Sequence, residues 1–407
     1  MKRRSIRIAL MALLLAGAAV ILTGCPSEVV NIAGVLPLTG DAAAYGQAVK
    51  KGMELAMDEI KAEEGNNLEL VIVDTKSDPE TAKELLRKQF GDGALAAIGG
   101  VTSGEAKQMI GVVDKYERVL LSPTASSPDL TGISRNFYRI FPSDHTAASK
   151  MAQAAAQALD VQKIVIIAEE QPYAMGIQGV FSPAFQGFGG EILETIEFPP
   201  NTTDMAALVS RALSLEPDGV YLAGYADGIS ALITELVRQN YQGKMLTTSA
   251  FATSSAIAQV GDAATGVFLT QTVFETDSDF AHIQGFVKGY REKYGEEPDI
   301  YAAHGYDAMK VIAAAVKGRP VIPGEVKKGL RDAIKDFPGV TGSIQFDDLG
   351  DVRKFPRLYI IDKIDSDLIL VDYNDRVRRK QEEIKKRREA LKRQLEQIQK
   401  QASGISN

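Results

Sequence analysis

One cysteine, three histidines and no tryptophan leave this 407-residue chain poor in the side chains that carry much redox, metal and nucleophilic chemistry. A single thiol excludes an internal disulfide framework. His145, His282 and His304 lie far apart without metal-ligand spacing, so no metal is expected. There is no P-loop, no GxSxG and no HExxH. Basic charge is scarce in the body of the chain as well. The formal net charge is −7, but residues 25–375 alone hold 31 Lys/Arg against 49 Asp/Glu. A body this acidic argues against nucleic acid as a partner.

What is present begins at the start of the chain. Lys2, Arg3, Arg4 and Arg7 surround the opening of an apolar run over residues 8–22, which leads into Leu22-Thr23-Gly24-Cys25. Basic segment, apolar core and small residues, in that order, form the layout of a secretory signal peptide. Its end resembles the bacterial lipobox, in which the cysteine sulfur takes a lipid and becomes the first mature residue. Residues 1–24 are therefore expected to be a signal peptide and Cys25 a lipidation site on an exported, membrane-anchored protein at the periplasmic or extracellular face. The competing reading is an uncleaved anchor, since the run approaches the roughly 17–25 residues of a spanning helix.

From residue 31 onward, short β-rich apolar runs alternate with amphipathic stretches. Strands are expected at 32–36, 68–73, 96–98 and 119–121. A helix is expected at 47–60, with Val49, Met53, Ala56, Met57 and Ile60 along one side. Asp78 before Pro79 reads as an N-cap and first-turn proline opening a helix at 79–90. The rhythm pauses at 137–144, then resumes with strands at 163–168, 192–198, 219–223, 245–248 and 267–272. Helices at 280–294, 301–316 and 325–335 follow, then strands at 342–346, 357–361 and 368–372. Such alternation implies α/β architecture with mainly parallel sheets covered on both faces. About 380 mature residues exceed the usual reach of one core, so two doubly wound lobes are expected.

Residues 376–401 differ in kind, with eleven Lys/Arg against four Glu and neither Gly nor Pro. They are expected to be helical. Val377, Ile384, Leu391 and Ile398 recur every seven residues, but the partner heptad positions are largely polar, a seam too thin for a stable coiled coil. A solvated helix, attachment to an anionic membrane surface and pairing with another helix all remain open.

In doubly wound sheets, ligands sit beyond the carboxyl ends of the strands. Those positions here hold Tyr45, the run Gly99-Gly100-Val101-Thr102-Ser103-Gly104, and the hydroxyl-rich Ser122-Pro123-Thr124-Ala125-Ser126-Ser127-Pro128. The second series offers Tyr173, Tyr225, Ser249 and Phe251. Thr102-Ser103-Gly104 at a helix start has the chemistry of an anion site, an ordinary capped turn being the plainer reading. Hydroxyls, aromatic faces and backbone donors without a nucleophile–base pair form a binding inventory rather than a catalytic one. No enzyme and no cofactor are expected.

The order and spacing of several signatures resemble the solute-binding proteins of branched-chain amino-acid-type ABC importers, of type I periplasmic binding fold. They include Pro37-Leu38-Thr39-Gly40…Tyr45-Gly46, Asp74…Ser77-Asp78-Pro79 and Ser122-Pro123-Thr124-Ala125…Pro128. Further on come Arg139…Pro142-Ser143-Asp144, Ala223-Gly224-Tyr225, Tyr301-Ala302-Ala303…Tyr306-Asp307 and Gly339-Val340-Thr341-Gly342. The resemblance implies two lobes closing on a multi-strand hinge, with lobe 1 at 28–143 and 273–356 and lobe 2 at 144–272 and 357–375, ahead of the tail at 376–407. It implies that Ser103, Thr124 and Ser126 hold the carboxylate and amino group of a small solute, with Tyr45 at the edge and Tyr173 and Tyr225 closing from lobe 2. Thr102 is a further candidate. Where leucine-type binders place a glutamate near the ligand ammonium, this chain has Ser249, and Asp144 is the candidate substitute. The implied partners are a small amino acid or related carboxylate or amide, an ABC permease and, through the lipid, a membrane. The alternative is a ligand-sensing regulatory lipoprotein acting on a membrane or cell-wall partner, since the same fold also serves regulators.

Overall fold

In a computed structural model of the full chain, residues 29–63 and 67–404 are described, with 396–404 as backbone helix only. The expected signal peptide and Cys25 lie outside the described residues. Among the described residues, no helix is long and apolar enough to cross a membrane.

Two sheets organise the chain. The first contains β1 (Val30–Leu36), β2 (Leu68–Asp74), β3 (Ala96–Gly99), β4 (Leu120–Ser122) and β5 (Phe137–Arg139), all parallel in the order β2-β1-β3-β4-β5. Helices α1 (Ala43–Ala62), α2 (Pro79–Gly91) and α3 (Ser103–Tyr116) connect them. α1 buries Val49, Met53, Ala56, Met57 and Ile60 as its periodicity requires. Asp78 caps α2 by accepting from the Thr81 N–H, ahead of the first-turn Pro79. Fifth-strand pairing is a correction to the expected pause at 137–144. β5 spans only three residues, too few for a period-2 pattern, yet it pairs with β4 in register Leu120↔Phe137.

The chain then enters the second lobe through α4 (Asp144–Gln157) and builds β6 (Lys163–Glu169), α5 (Pro172–Gly187), β7 (Glu191–Phe198), α6 (Met205–Leu213), β8 (Gly219–Ala223), α7 (Ala226–Arg238), β9 (Lys244–Thr248), α8 (Ser254–Val260) and β10 (Phe268–Gln271). It returns to the first lobe as α9 (Ala281–Tyr294), α10 (Ile300–Val316), α11 (Pro323–Asp332) and the hairpin β11 (Phe337–Gly339) and β12 (Gly342–Ile344). β11 was not expected, because Pro338 argues against a strand; a two-stranded hairpin tolerates it. Finally β13 (Arg357–Ile364) and β14 (Asp367–Asp372) join the second sheet antiparallel, giving the order β14-β13-β10-β9-β8-β6-β7. The chain thus crosses between lobes three times, after β5, after β10 and before β13.

α10 returns to pack along α1, and two glycines permit it. A Cβ on Gly52 would lie 1.9 Å from the Ala302 carbonyl oxygen, and one on Gly305 would lie 2.3 Å from that of Val49. The crossings are laced by a buried ion pair. The Arg139 guanidinium, fully buried at the end of β5, donates through Nε and Nη2 to the two Asp351 carboxylate oxygens at 2.6 and 2.8 Å. Its Nη1 donates to the Ser127 carbonyl at 2.8 Å, which fixes the loop after β4.

The terminal helix α12 (Tyr373–Gly404) confirms helical structure over the basic segment. Its first turn is seated, Tyr373 edge-on to Phe268 at 5.6 Å and Arg376 paired with Asp362 at 2.5 Å. Beyond that the helix leaves the body, and Val377, Ile384 and Leu391 are exposed.

Candidate functional site

The carboxyl ends of the parallel strands of both sheets face one another, and a cavity of about 30 Å³ lies between them. Eight of the residues singled out in the sequence line it: Tyr45, Thr102, Ser103 and Thr124 with Ser126 from lobe 1, and Tyr173, Tyr225 and Ser249 from lobe 2. Asp144 does not line the cavity. It lies one bond behind, accepting from Ser126 Oγ at 2.5 Å. Phe251 is buried in the core and takes no part in the lining.

Each lobe-1 hydroxyl is placed by a specific bond, and those bonds decide what remains for a solute. Ser103 opens α3, whose N-cap Thr102 and Glu105 form a reciprocal capping box. Ser103 Oγ accepts from the Ser127 N–H at 3.1 Å, so its own O–H is free to donate. Thr124 Oγ1 spends its proton on the Val101 carbonyl at 2.7 Å. Ser126 Oγ spends its proton on Asp144. Thr124 and Ser126 therefore offer lone pairs, which suit an N–H donor, whereas Ser103 and the start of α3 suit an anion.

Lobe 2 contributes rings. Tyr173 and Tyr225 stack at 5.4 Å with an interplanar angle of 5°, and Tyr45 approaches Tyr225 at 5.9 Å. The Tyr225 hydroxyl faces the Thr102 side chain and the Ser103 backbone N–H, at the mouth of α3. Burial pushes the phenols of Tyr45, Tyr173 and Tyr225 upward, so they stay neutral.

Tyr45 does more than border the cavity. Its hydroxyl accepts from the Ala226 N–H at 2.8 Å and donates to the Ala250 carbonyl at 2.9 Å, tying α1 to two loops of lobe 2. Tyr301, at the start of α10, donates to the Ser249 carbonyl at 2.9 Å and packs 4.8 Å from Tyr45. Tyr301, Phe141 and Ala250 also line the cavity and were not assigned from the sequence. Tyr301 and Phe141 fall inside quoted signatures, but buried aromatics at helix starts and strand ends read first as core. A cavity of about 30 Å³ has room for water but not for an amino-acid-sized solute in this arrangement of the lobes.

Two carboxyls stand immediately behind the lining. Burial raises Asp144 to about 7 against the opposing pull of Ser126 and Arg139. Burial likewise raises Glu105 to about 7, although Thr75 Oγ1 (2.5 Å) and the Thr102 N–H (3.3 Å) both donate to it. Among the described residues no His/Cys/Asp/Glu group is arranged to hold a metal.

Two lobes with a cavity lined by hydroxyls and aromatic rings between the carboxyl ends of their sheets define a cleft-type solute-binding protein. The chain belongs to the periplasmic binding protein family, which it matches over residues 29–360, and within it to the branched-chain amino-acid type of ABC solute-binding proteins. It is 24% identical over 337 residues to the leucine-, isoleucine-, valine-, threonine-, and alanine-binding protein of Pseudomonas aeruginosa, covering 81% of this chain and 88% of that one. The crystal structure of the substrate-binding protein LivJ from Streptococcus pneumoniae, in complex with isoleucine, superposes with a TM-score of 0.77 at 25% identity, covering 85% of this chain and 100% of that one. An ABC-transporter solute-binding protein from R. palustris, in complex with benzoate, shares the fold with a TM-score of 0.77 at 22% identity, covering 85% and 96%.

Proposed function

We propose that the chain is an exported lipoprotein, anchored through Cys25, that captures a small amino acid or a related carboxylate or amide between its lobes and delivers it to the permease of an ABC importer. The observation that carries this reading is the division of hydrogen-bonding roles around the cavity. Ser103 and the α3 N-terminus take the carboxylate, while Thr124 and Ser126 accept from the amino group. Asp144 supplies, through Ser126, the negative charge that Ser249 does not.

The solute docks on lobe 1, whose hydroxyls are already positioned. Tyr173 and Tyr225 add their contacts only on closure, and that differential affinity shifts the population to the closed form which the permease recognises. No covalent step is involved, and the chain is not an enzyme. A thermal-shift panel on the purified protein tests this, comparing L-amino acids with matched acids lacking the amine and with small amides. A ligand at about a hundred times its dissociation constant adds roughly 2.7 kcal/mol of stability. Stabilisation by amino acids supports the Asp144 role. Stabilisation only by acids without an amine moves the ligand class, and no stabilisation by any of them contradicts the reading.

A further inference from the structure

The terminal helix α12 stands apart from the solute site in both place and charge. Its root is fixed to lobe 2 by Tyr373 on Phe268 and by the Arg376–Asp362 pair, and every residue from Val377 to Leu395 is exposed. That is about 30 Å of bare helix at 1.5 Å per residue. Among the described residues, no Lys or Arg from Arg379 to Arg393 forms an ion pair.

The bare surface is sorted by face. Val377, Ile384, Leu391 and Leu395 follow one another at helical spacing and form one exposed apolar stripe. At about 100° per residue, Lys380, Arg387, Arg388 and Lys392 fall within about 80° of it, and no acid does. Glu382, Glu383 and Glu389 lie farther round, where Arg379, Lys386 and Arg393 offset them. The far side is thus close to neutral, and the unbalanced positive charge borders the apolar stripe.

Three kinds of partner could meet such a face, and two fit badly. In a helix pair seated on Val377, Ile384 and Leu391, Lys380 and Arg387 take the second core position of each heptad, so a second copy would bring like charges into the seam. A soluble polyanion would answer the charges but leave the aliphatic stripe in water. A bilayer surface with anionic head groups answers both, because the basic side chains reach the head groups while the stripe enters the acyl boundary. The long stems of Lys and Arg suit that depth. Among the described residues no helix is long and apolar enough to cross a membrane, so α12 lies along the surface rather than through it.

We propose that α12 is a membrane-surface helix that docks lobe 2 on anionic lipid. It adds to the anchor proposed at Cys25, which precedes β1 of lobe 1, so the two attachments hold different lobes.

The chain has no tryptophan, so Ile384→Trp puts a single fluorescent reporter on the stripe. The full-length protein carrying it is mixed with vesicles of phosphatidylcholine, alone or with phosphatidylglycerol. A blue-shifted emission is expected with phosphatidylglycerol only, and it is expected to vanish in about 1 M salt, where the screening length is about 3 Å. Lys386→Trp, on the far side, is expected to keep the emission of a water-exposed ring. Adding Lys380→Gln, Arg387→Gln and Arg388→Gln to the stripe reporter is expected to abolish its shift. No shift with either vesicle, or an equal shift with both, overturns the proposal. So does a shift that appears without lipid and grows with protein concentration, which marks a second copy, or an equal shift in soluble polyphosphate. The reporter sits on α12, so vesicle attachment through the first 25 residues does not mimic the result, and none of these outcomes bears on solute capture in the cleft.

Discussion

The two lobes meet at one cavity but bring different chemistry to it. Lobe 1 presents hydroxyls whose protons and lone pairs are already assigned by Val101, Ser127 and Asp144. Lobe 2 presents stacked rings, of which Tyr225 reaches across with its hydroxyl to the start of α3 in lobe 1. In the proposed reading, the pre-set side takes the head group and the aromatic side excludes water over it. Such a division lets a solute bind before closure, and makes closure the step that lobe 2 rewards.

The largest blow to that comparison is predicted at the lacing of lobe 1. Arg139→Met leaves Asp351 without its buried partner and frees the Ser127 loop, costing about 3–5 kcal/mol in urea-unfolding experiments. A loss under about 1 kcal/mol would show that the loop is held in some other way. Next comes Ser103→Ala, which removes the lobe-1 hydroxyl proton left for a carboxylate. Hydrogen bonds to a charged partner contribute about 1.5–3 kcal/mol, so the affinity for a carboxylate solute should fall roughly ten- to a hundredfold by titration calorimetry. The matching Thr124→Ala should weaken carboxylic acids without an amine far less.

The Asp144 carboxyl sharpens the comparison through pH. Raised to about 7 by burial, it holds its proton more tightly in the folded chain than in the unfolded one. Its contribution to the stability of the folded protein therefore falls as pH rises from about 4 to about 7. Binding of an ammonium beside Ser126 has the opposite slope, because it favours the ionised carboxylate. Affinity for an amino acid should weaken below pH 7, by at most about tenfold per pH unit. Asp144→Asn should flatten that dependence, and an unchanged profile would remove Asp144 from the amine site. The smallest effect is expected at Gly176 on α5, where a Cβ would lie 2.6 Å from Ser127 Oγ across the cleft. Gly176→Ala should speed solute dissociation a few-fold in stopped-flow traces and leave association unchanged.

Much of this was legible in the chain. Strand–helix alternation placed both sheets, and the rule that ligands sit past strand ends collected eight side chains that line one cavity. What escaped has physical reasons. β5 is too short to show alternation, and Pro338 disguises β11. Tyr301 reaches the cavity only because α10 comes back to lobe 1 after the second crossing, which no local pattern announces. A larger cavity of about 330 Å³ beside the first, which shares Thr102 and Tyr225 with it, is more hidden still. Asp41, Glu169 and Asp227 each look like an ordinary loop, strand-end or first-turn acid, and only lobe contact brings them together. Proton assignments were equally invisible, since Thr124 and Ser126 acquire their acceptor role from partners placed by folding.

The most direct measurement is a crystal structure of the protein with the amino acid that binds it tightest in titration. The carboxylate is expected on Ser103 Oγ and the first N–H groups of α3, the amino group on Thr124 and Ser126, and Tyr225 displaced from the mouth of that helix. A solute seated elsewhere in the molecule, or one with its amino group turned away from Thr124 and Ser126, would contradict it.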